Sequence, residues 1–245
     1  MKAFGMTHRG AVRKENQDTF RIDAPEKRGI LTAVLCDGMG GAQAGSIASC
    51  MAADAFMSHA ANSLDEKSTA ADMRGILTDA VNYANIKVYD RSYSDFTCMG
   101  MGSTLVALVM TEKHAALANV GDSRAYLVSG GGIRQITRDH SLVGELVARG
   151  EITPEQAKTH PKKNVITRAV GVEATVRCDI FEMKSSAPGV RLLLCSDGVS
   201  NMLRDRELLE LLTAERDGEK CCRSIIDAAL GRGAPDNITA IIADR

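Results

Sequence analysis

Residues 31–40 read LTAVLCDGMG and residues 192–198 read LLLCSDG, two short apolar runs that each stop at an Asp-Gly step. An apolar run of that length, closed by a turn signal, fits a strand buried on both faces. A carboxylate at the tip of such a strand, followed by a glycine that lets backbone or ligand approach, is a recurrent way to hold a hard cation. One such tip means little, because Asp-Gly is also an ordinary turn. Two of them, with Asp18 and Asp236-Asn237 near the two ends of the chain, make a di-metal site the leading reading.

Only a folded core can bring Asp18, Asp37, Asp197 and Asp236 together, since they span nearly all of the 245 residues. Magnesium and manganese take oxygen ligands, keep several waters and need only a few carboxylates. Two such ions can acidify a shared water and present hydroxide in line with a phosphorus atom. A phosphoryl group also needs a cation to hold its oxygens, and Arg13, five residues before Asp18, offers a planar fork for it. An isolated aspartate at a strand end is more often a turn or cap residue. Asp139, Asp179, Asp205 and Asp227 are read in that ordinary way.

Composition narrows the alternatives. The chain is 44% hydrophobic and 25% charged, which suits one substantial globular domain. Thirty basic against 31 acidic residues leave a net charge of −1, so nothing argues for nucleic acid or a membrane surface as partner. The seven cysteines show neither a CxxC pair nor zinc spacing, and Cys36 and Cys195 lie within apolar runs as small core residues. No signal-peptide core and no 18-residue apolar stretch is present, so a cytoplasmic location is expected. The sequence lacks GxxxxGK[ST], GxSxG and HExxH patterns.

Strands are predicted near 19–23, 30–36, 102–110, 114–120, 124–129, 176–183, 190–195 and 237–243. Helices are predicted over 42–60 and about 67–93, each with an apolar stripe at helical spacing. A short helix over about 140–149 stops at Gly150, and Thr153-Pro154-Glu155-Gln156 forms a capping box that opens another. Later helices are expected near 205–214 and 218–230. The hairpin-length gaps at 111–113 and 121–123 point to antiparallel pairing, hence an α+β fold with antiparallel sheet covered by helices.

Six motifs in order carry a family resemblance: Arg13-Lys-Glu-Asn-Gln-Asp18, Asp37-Gly-Met-Gly-Gly41, Gly102-Ser-Thr-Leu105, Gly121-Asp-Ser-Arg-Ala-Tyr126, Ser196-Asp-Gly198 and Asp236-Asn-Ile-Thr239. Over residues 3–243 the chain resembles the metal-dependent protein phosphatases of type 2C, in their bacterial serine/threonine branch. The resemblance implies a four-layer α-β-β-α sandwich, two antiparallel sheets flanked by helices, with metals in a channel at one end. It implies one catalytic domain over 1–245 with a flap subdomain at about 140–171. By the same resemblance Asp37 would bridge two ions and Gly38 would lend its carbonyl. Asp197 and Asp236 would complete the first ion's shell, Asp18 would act mainly through water at the second, and Asp122 would hold a weaker third.

The activity so implied is hydrolysis of phosphoserine and phosphothreonine in proteins by a hydroxide bridging two Mn2+ or Mg2+ ions. Arg13 and Asp37 would be catalytic, Arg13 and the flap residue His160 would meet substrate, and no phosphoenzyme would form. Phosphorylated proteins are the expected substrates and a serine/threonine kinase the expected counterpart, with the enzyme a monomer. Two departures stand out. Met39 occupies the place of a histidine that animal members carry as a proposed acid, and a thioether donates no proton. Gln17 stands where many relatives have Glu. A non-catalytic phosphoprotein-binding regulator on the same scaffold is the rival reading; the intact set of core aspartates weighs against it.

Overall fold

The computed structural model describes residues 1–25, 29–41, 43–184 and 189–245. Two antiparallel sheets stack face to face. In one, β1 (Lys2–His8), β11 (Ile238–Asp244), β10 (Arg191–Cys195), β7 (Arg124–Ser129) and β8 (Gly132–Gln135) lie in that order. In the other the order is β2 (Asp18–Asp23), β3 (Ile30–Met39), β5 (Leu105–Thr111), β6 (His114–Val120) and β9 (Asp179–Lys184), and the two-residue β4 (Gly102–Ser103) pairs with the end of β3.

Side-chain alternation along the central strands decides the layering, because successive residues of a strand face opposite sides. Leu31, Ala33 and Leu35 of β3 meet Leu192 and Leu194 of β10 and Ile241 and Ala243 of β11 between the sheets. Val34 and Cys36 face the other way, onto α1 (Ala44–Ser63) and α2 (Ala70–Ser94). On the opposite outer face Leu193, Cys195, Ala240 and Ile242 receive α5 (Asp197–Ser200), α6 (Asp205–Ala214) and α7 (Gly218–Leu230). The result is the expected four layers.

The first helix buries Ala48, Ala52 and Phe56 completely and packs Ile47, Met51 and Ala55 at the margin, as its stripe predicts. Its predicted first residue, 42, lies outside the described residues. The two last helices match their predicted spans, and the Thr153–Gln156 capping box opens α4 (Pro154–Thr159). Between β8 and β9 the chain forms α3 (Leu142–Ala148) and α4, with Gly150 at φ +73° after α3. Among the described residues no helix is long and apolar enough to cross a membrane.

Three expectations need correction. The 111–113 gap is a hairpin between β5 and β6, but 121–123 is not one: β6 pairs with β9 while β7 pairs with β10. Gly121-Asp122-Ser123 instead carries the chain from one sheet to the other, with Gly121 at φ +104°. The predicted strand 102–110 is broken at Thr104, whose backbone N–H donates to the Asp37 carbonyl (2.8 Å). The strand predicted from 176 starts at Asp179.

Candidate metal centre

Asp18 opens β2 and is the direct Cα partner of Asp37 in β3, so the register of the β2–β3 pair puts two carboxylate-bearing positions side by side. Asp18 is 6% exposed. Its Oδ2 accepts from Thr239 Oγ1 (2.6 Å) and Ser196 Oγ (2.8 Å), both supplied by the opposite sheet. Its Oδ1 is buried and has no hydrogen-bond partner among the described residues. A buried carboxylate oxygen left without a donor is costly, and a cation is one way to satisfy it.

Asp37 is held through its backbone. Its N–H donates to Thr104 Oγ1 (2.9 Å), and its carbonyl accepts from the Thr104 N–H (2.8 Å) and from Ser103 Oγ (3.0 Å). The position of the carboxylate is therefore set by the sheet. At Gly38 a Cβ would lie 1.9 Å from the Gly45 carbonyl oxygen and 2.8 Å from that of Gln17, so only glycine lets these backbones converge. Gly198 repeats the arrangement: a Cβ there would stand 1.9 Å from the Asn237 carbonyl. Asp197 heads α5, and Asn201 Nδ2 donates to its Oδ2 (3.0 Å).

Asn237 holds the loop before Asp18 in place. Its Nδ2 donates to the carbonyls of Arg9 and Glu15 (2.9 Å each) and its Oδ1 accepts from the Gln17 N–H (2.8 Å). The loop over 9–17 is thereby pinned beside Asp236. Arg13, on that loop, donates from Nη2 to Asp236 Oδ2 (2.8 Å) with its side chain 53% exposed.

The carboxylates feel one another. Burial first, then the charge of Asp197, pushes Asp18 up to about 6. Burial and then Asp236 push Asp197 up to about 6, and burial, Asp197 and Asp139 push Asp122 up to about 7. Asp37 rises well above the usual carboxylate range through burial and then the charges of Asp18, Asp197, Asp122 and Asp236. Arg13 is raised by Asp236, with further help from Asp37 and Asp197. Four acids whose ionisation is disfavoured by burial and by neighbouring charge form a concentrated negative potential that a divalent cation would relieve.

Among the described residues no three His, Cys, Asp or Glu side chains close into a ready-made cage for one ion. An ion here would be completed by backbone oxygen and water, as magnesium and manganese commonly are. The all-oxygen donor set, the unpartnered Asp18 oxygen and the mutual repulsion of the acids fit a hard divalent ion.

Asp18, Asp37, Asp122, Asp197, Asp236 and Arg13 thus share one end of the sandwich. His160 does not join them through its hydrogen bonds: its Nδ1 accepts from the Lys162 N–H (3.1 Å), a contact inside its own loop. Met39 is half-buried, its Cε 2.9 Å from where a Cβ of Gly102 would be, beside Val172. Cys195 is pushed up to about 12 by burial, and burial raises Cys36 as well, so neither offers a thiolate. Asp139 and Asp179, read as ordinary, are paired. Arg124 chelates Asp139 through Nε and Nη2 (2.6–3.1 Å), and Arg168 reaches Asp179 (3.0 Å). Burial, ahead of the charge of Arg168, lowers His140 against the pull of Asp179.

The model of the family described as protein phosphatase 2C matches residues 5–224. The chain is 38% identical to the serine/threonine phosphatase stp of Listeria innocua, over 100% of this chain and 96% of that one. It is 36% identical to the serine/threonine protein phosphatase PstP of Mycobacterium tuberculosis, over 96% of this chain and 43% of that longer protein. Among solved structures it superposes on the serine/threonine phosphatase Stp1 from Staphylococcus aureus with a TM-score of 0.91 and 35% identity, covering 100% and 94% of the two chains. The catalytic domain of PstP in complex with two manganese ions gives a TM-score of 0.84 at 33% identity, covering 99% and 97%.

Proposed function

We propose that this chain, which belongs to the protein phosphatase 2C family, is a metal-dependent protein phosphatase acting on phosphoserine and phosphothreonine. The observation that carries this reading is the converging set of acids at the strand ends, raised by desolvation and by one another and framed by two glycines at which a Cβ would stand 1.9 Å from a carbonyl oxygen. Asp37, Asp18, Asp197 and Asp236, with the Gly38 carbonyl, would hold two manganese or magnesium ions, and Asp122 a weaker third. Those ions supply positive charge for the phosphoryl oxygens and acidify the attacking water.

The chain's own residues do the rest. Arg13 commits one nitrogen to Asp236, which orients the guanidinium toward the acid cluster and leaves the remainder of its fork for two phosphoryl oxygens. The hydrogen bonds of Thr239 and Ser196 to Asp18 keep that carboxylate from swinging toward solvent. Thr104 and Ser103 fix the Asp37 backbone, so the carboxylate is preorganised at little entropic cost when substrate arrives. Cys36 and Cys195 are protonated core residues, which supports direct attack by water over a covalent phosphoenzyme.

The segment over about 140–171 would be the flap of a single domain, and His160 on it would meet substrate. The enzyme would act as a monomer. All seven cysteines are free, which suits a reducing compartment and supports the cytoplasm. A serine/threonine kinase is the natural counterpart of such an enzyme. The test is release of inorganic phosphate from a phosphothreonine peptide with manganese, with magnesium and with chelator. Metal-dependent release, reduced at least about a thousandfold in Asp37→Asn with the chain still folded, is expected. Undiminished turnover in that variant overturns the assignment.

A further inference from the structure

The N–H and the carbonyl of Gly121, in the two peptide groups that flank its Cα just before Asp122, are both held by one residue outside the acid cluster. The Gly121 N–H donates to His140 Nδ1 (3.1 Å), and the backbone N–H of His140 donates to the Gly121 carbonyl (2.9 Å). Asn119 Nδ2 adds a second donor to that carbonyl (3.3 Å). The His140 residue is 5% exposed. On the far side of the ring Nε2 lies 3.3 Å from Asp179 Oδ2 and 3.1 Å from Arg168 Nη1, which itself donates to Asp179 Oδ1 (3.0 Å).

The partners fix the tautomer. Since the Gly121 N–H uses the lone pair of Nδ1, the neutral ring carries its proton on Nε2, and of the two groups there only Asp179 can accept it. His140 and Arg168 are then two donors sharing one carboxylate. His140 also joins the two stems of the 140–171 segment. Its carbonyl accepts from the Thr167 N–H (2.8 Å), and Ser141 bridges to Ile166. A buried histidine with an assigned role at each nitrogen and at both backbone groups is more than a filler of space.

We propose that His140 is a positioning residue for the weakest cation site: by clamping the Gly121 peptide it aims Asp122 and ties that aim to the 140–171 segment. The proposal rests on the reading of Asp122 as a cation ligand. Partners that orient a metal ligand commonly change affinity by about 10- to 100-fold when removed, so binding is the quantity to read. Asn and Gln divide the ring's two functions, because an Asn oxygen falls near the place of Nδ1 and a Gln amide near that of Nε2.

The experiment is a manganese binding isotherm on the metal-stripped chain for the wild type, His140→Asn, His140→Gln and Asp122→Asn. We expect Asp122→Asn to abolish the weakest step and His140→Gln to weaken it about tenfold or more. His140→Asn, which keeps an acceptor for the Gly121 N–H, should bind nearly as the wild type does. Equal affinities for the Asn and Gln variants, or a Gln variant like wild type, overturn the proposal. An undisturbed weakest step in Asp122→Asn overturns instead the reading of Asp122. The wild type gives an arm that needs no variant: long-range proton–nitrogen correlation spectra should place the His140 proton on Nε2. A proton on Nδ1 contradicts the clamp.

Discussion

Asp37 and Asp197 stand at the ends of two central strands in facing sheets, yet they are held by opposite means. Past Asp37 the strand continues, because β4 pairs with it: Gly38 faces Ser103, Met39 faces Gly102, and the Gly38 N–H reaches the Gln17 carbonyl (3.0 Å). Past Cys195 the ladder runs only one bond further, from the Ser196 N–H to the Thr239 carbonyl (3.1 Å), and the chain then turns into α5, where the Val199 N–H closes on the Ser196 carbonyl (3.1 Å). One tip is rigid because its backbone bonds belong to a sheet; the other is anchored by a short helix. What they share is the glycine. In both, a Cβ would meet a carbonyl oxygen at 1.9 Å, so the Asp-Gly step is a requirement of backbone convergence before it is anything chemical.

The sharpest way to break that parallel is to add the missing carbon. Gly38→Ala and Gly198→Ala should each destabilise the chain by about 3 kcal/mol or more, since neither neighbouring carbonyl is a side-chain end that can swing away. Gly41→Ala, with nothing within 4 Å of its added carbon, should fall within about 0.5 kcal/mol of wild type. Urea titrations of the three variants measure this directly. A tolerated Gly198→Ala beside an intolerant Gly38→Ala would mean that the helical tip can yield where the sheet tip cannot.

Acidity tests what both tips have in common. Asp18 and Asp197 near 6 and Asp122 near 7 lie above the ordinary value of an unfolded aspartate. The folded, metal-free chain therefore binds more protons than the unfolded one between roughly pH 4 and 7. The stability from these groups is complete below the unfolded value and lost as pH rises through the folded ones. Metal-free protein should thus melt lower at pH 8 than at pH 5, by on the order of 3 kcal/mol. Manganese should recover the loss at pH 8 and do little at pH 5, where protons compete for the same oxygens. Parallel melting curves at the two pH values, with and without manganese, would expose a cluster that does not titrate as one.

Smaller effects separate the supports. Ser196→Ala and Thr239→Val each remove one donor from Asp18 Oδ2, so manganese affinity should fall by about 1–2 kcal/mol while the fold persists. Arg13→Ala should act later still, raising KM about tenfold with kcat less affected, as steady-state kinetics on a phosphopeptide would show. An unchanged KM would remove Arg13 from the phosphate.

Much of this was legible in the sequence, and the limits have physical causes. The helices over 205–214 and 218–230 were readable because each packs one stripe against a sheet and shows water the other. β1 and β8 were not predicted: both are edge strands whose partial exposure blurs alternation, as in the four residues Gly132–Gln135. The 121–123 step could not be told from a hairpin because the strand that β6 pairs with, β9, comes almost 60 residues later. In the site, Asp37 and Asp197 announced themselves by ending apolar runs. Ser196, Thr239 and Asn237 stand inside the motifs, but their partners were not legible, since a hydroxyl or amide gives no sign of the element it will reach. Asp139 and Asp179 looked like turn residues and are the acceptors of Arg124 and of the His140–Arg168 pair.

Whether the two strand tips meet over shared cations can be read from an anomalous-scattering map of crystals grown with manganese. Manganese peaks are expected in contact with Asp37 and the Gly38 carbonyl, with Asp197 and Asp236 on one of them and Asp18 nearest the other. A folded chain whose manganese lies away from Asp37, or touches only one of the two tips, would contradict it.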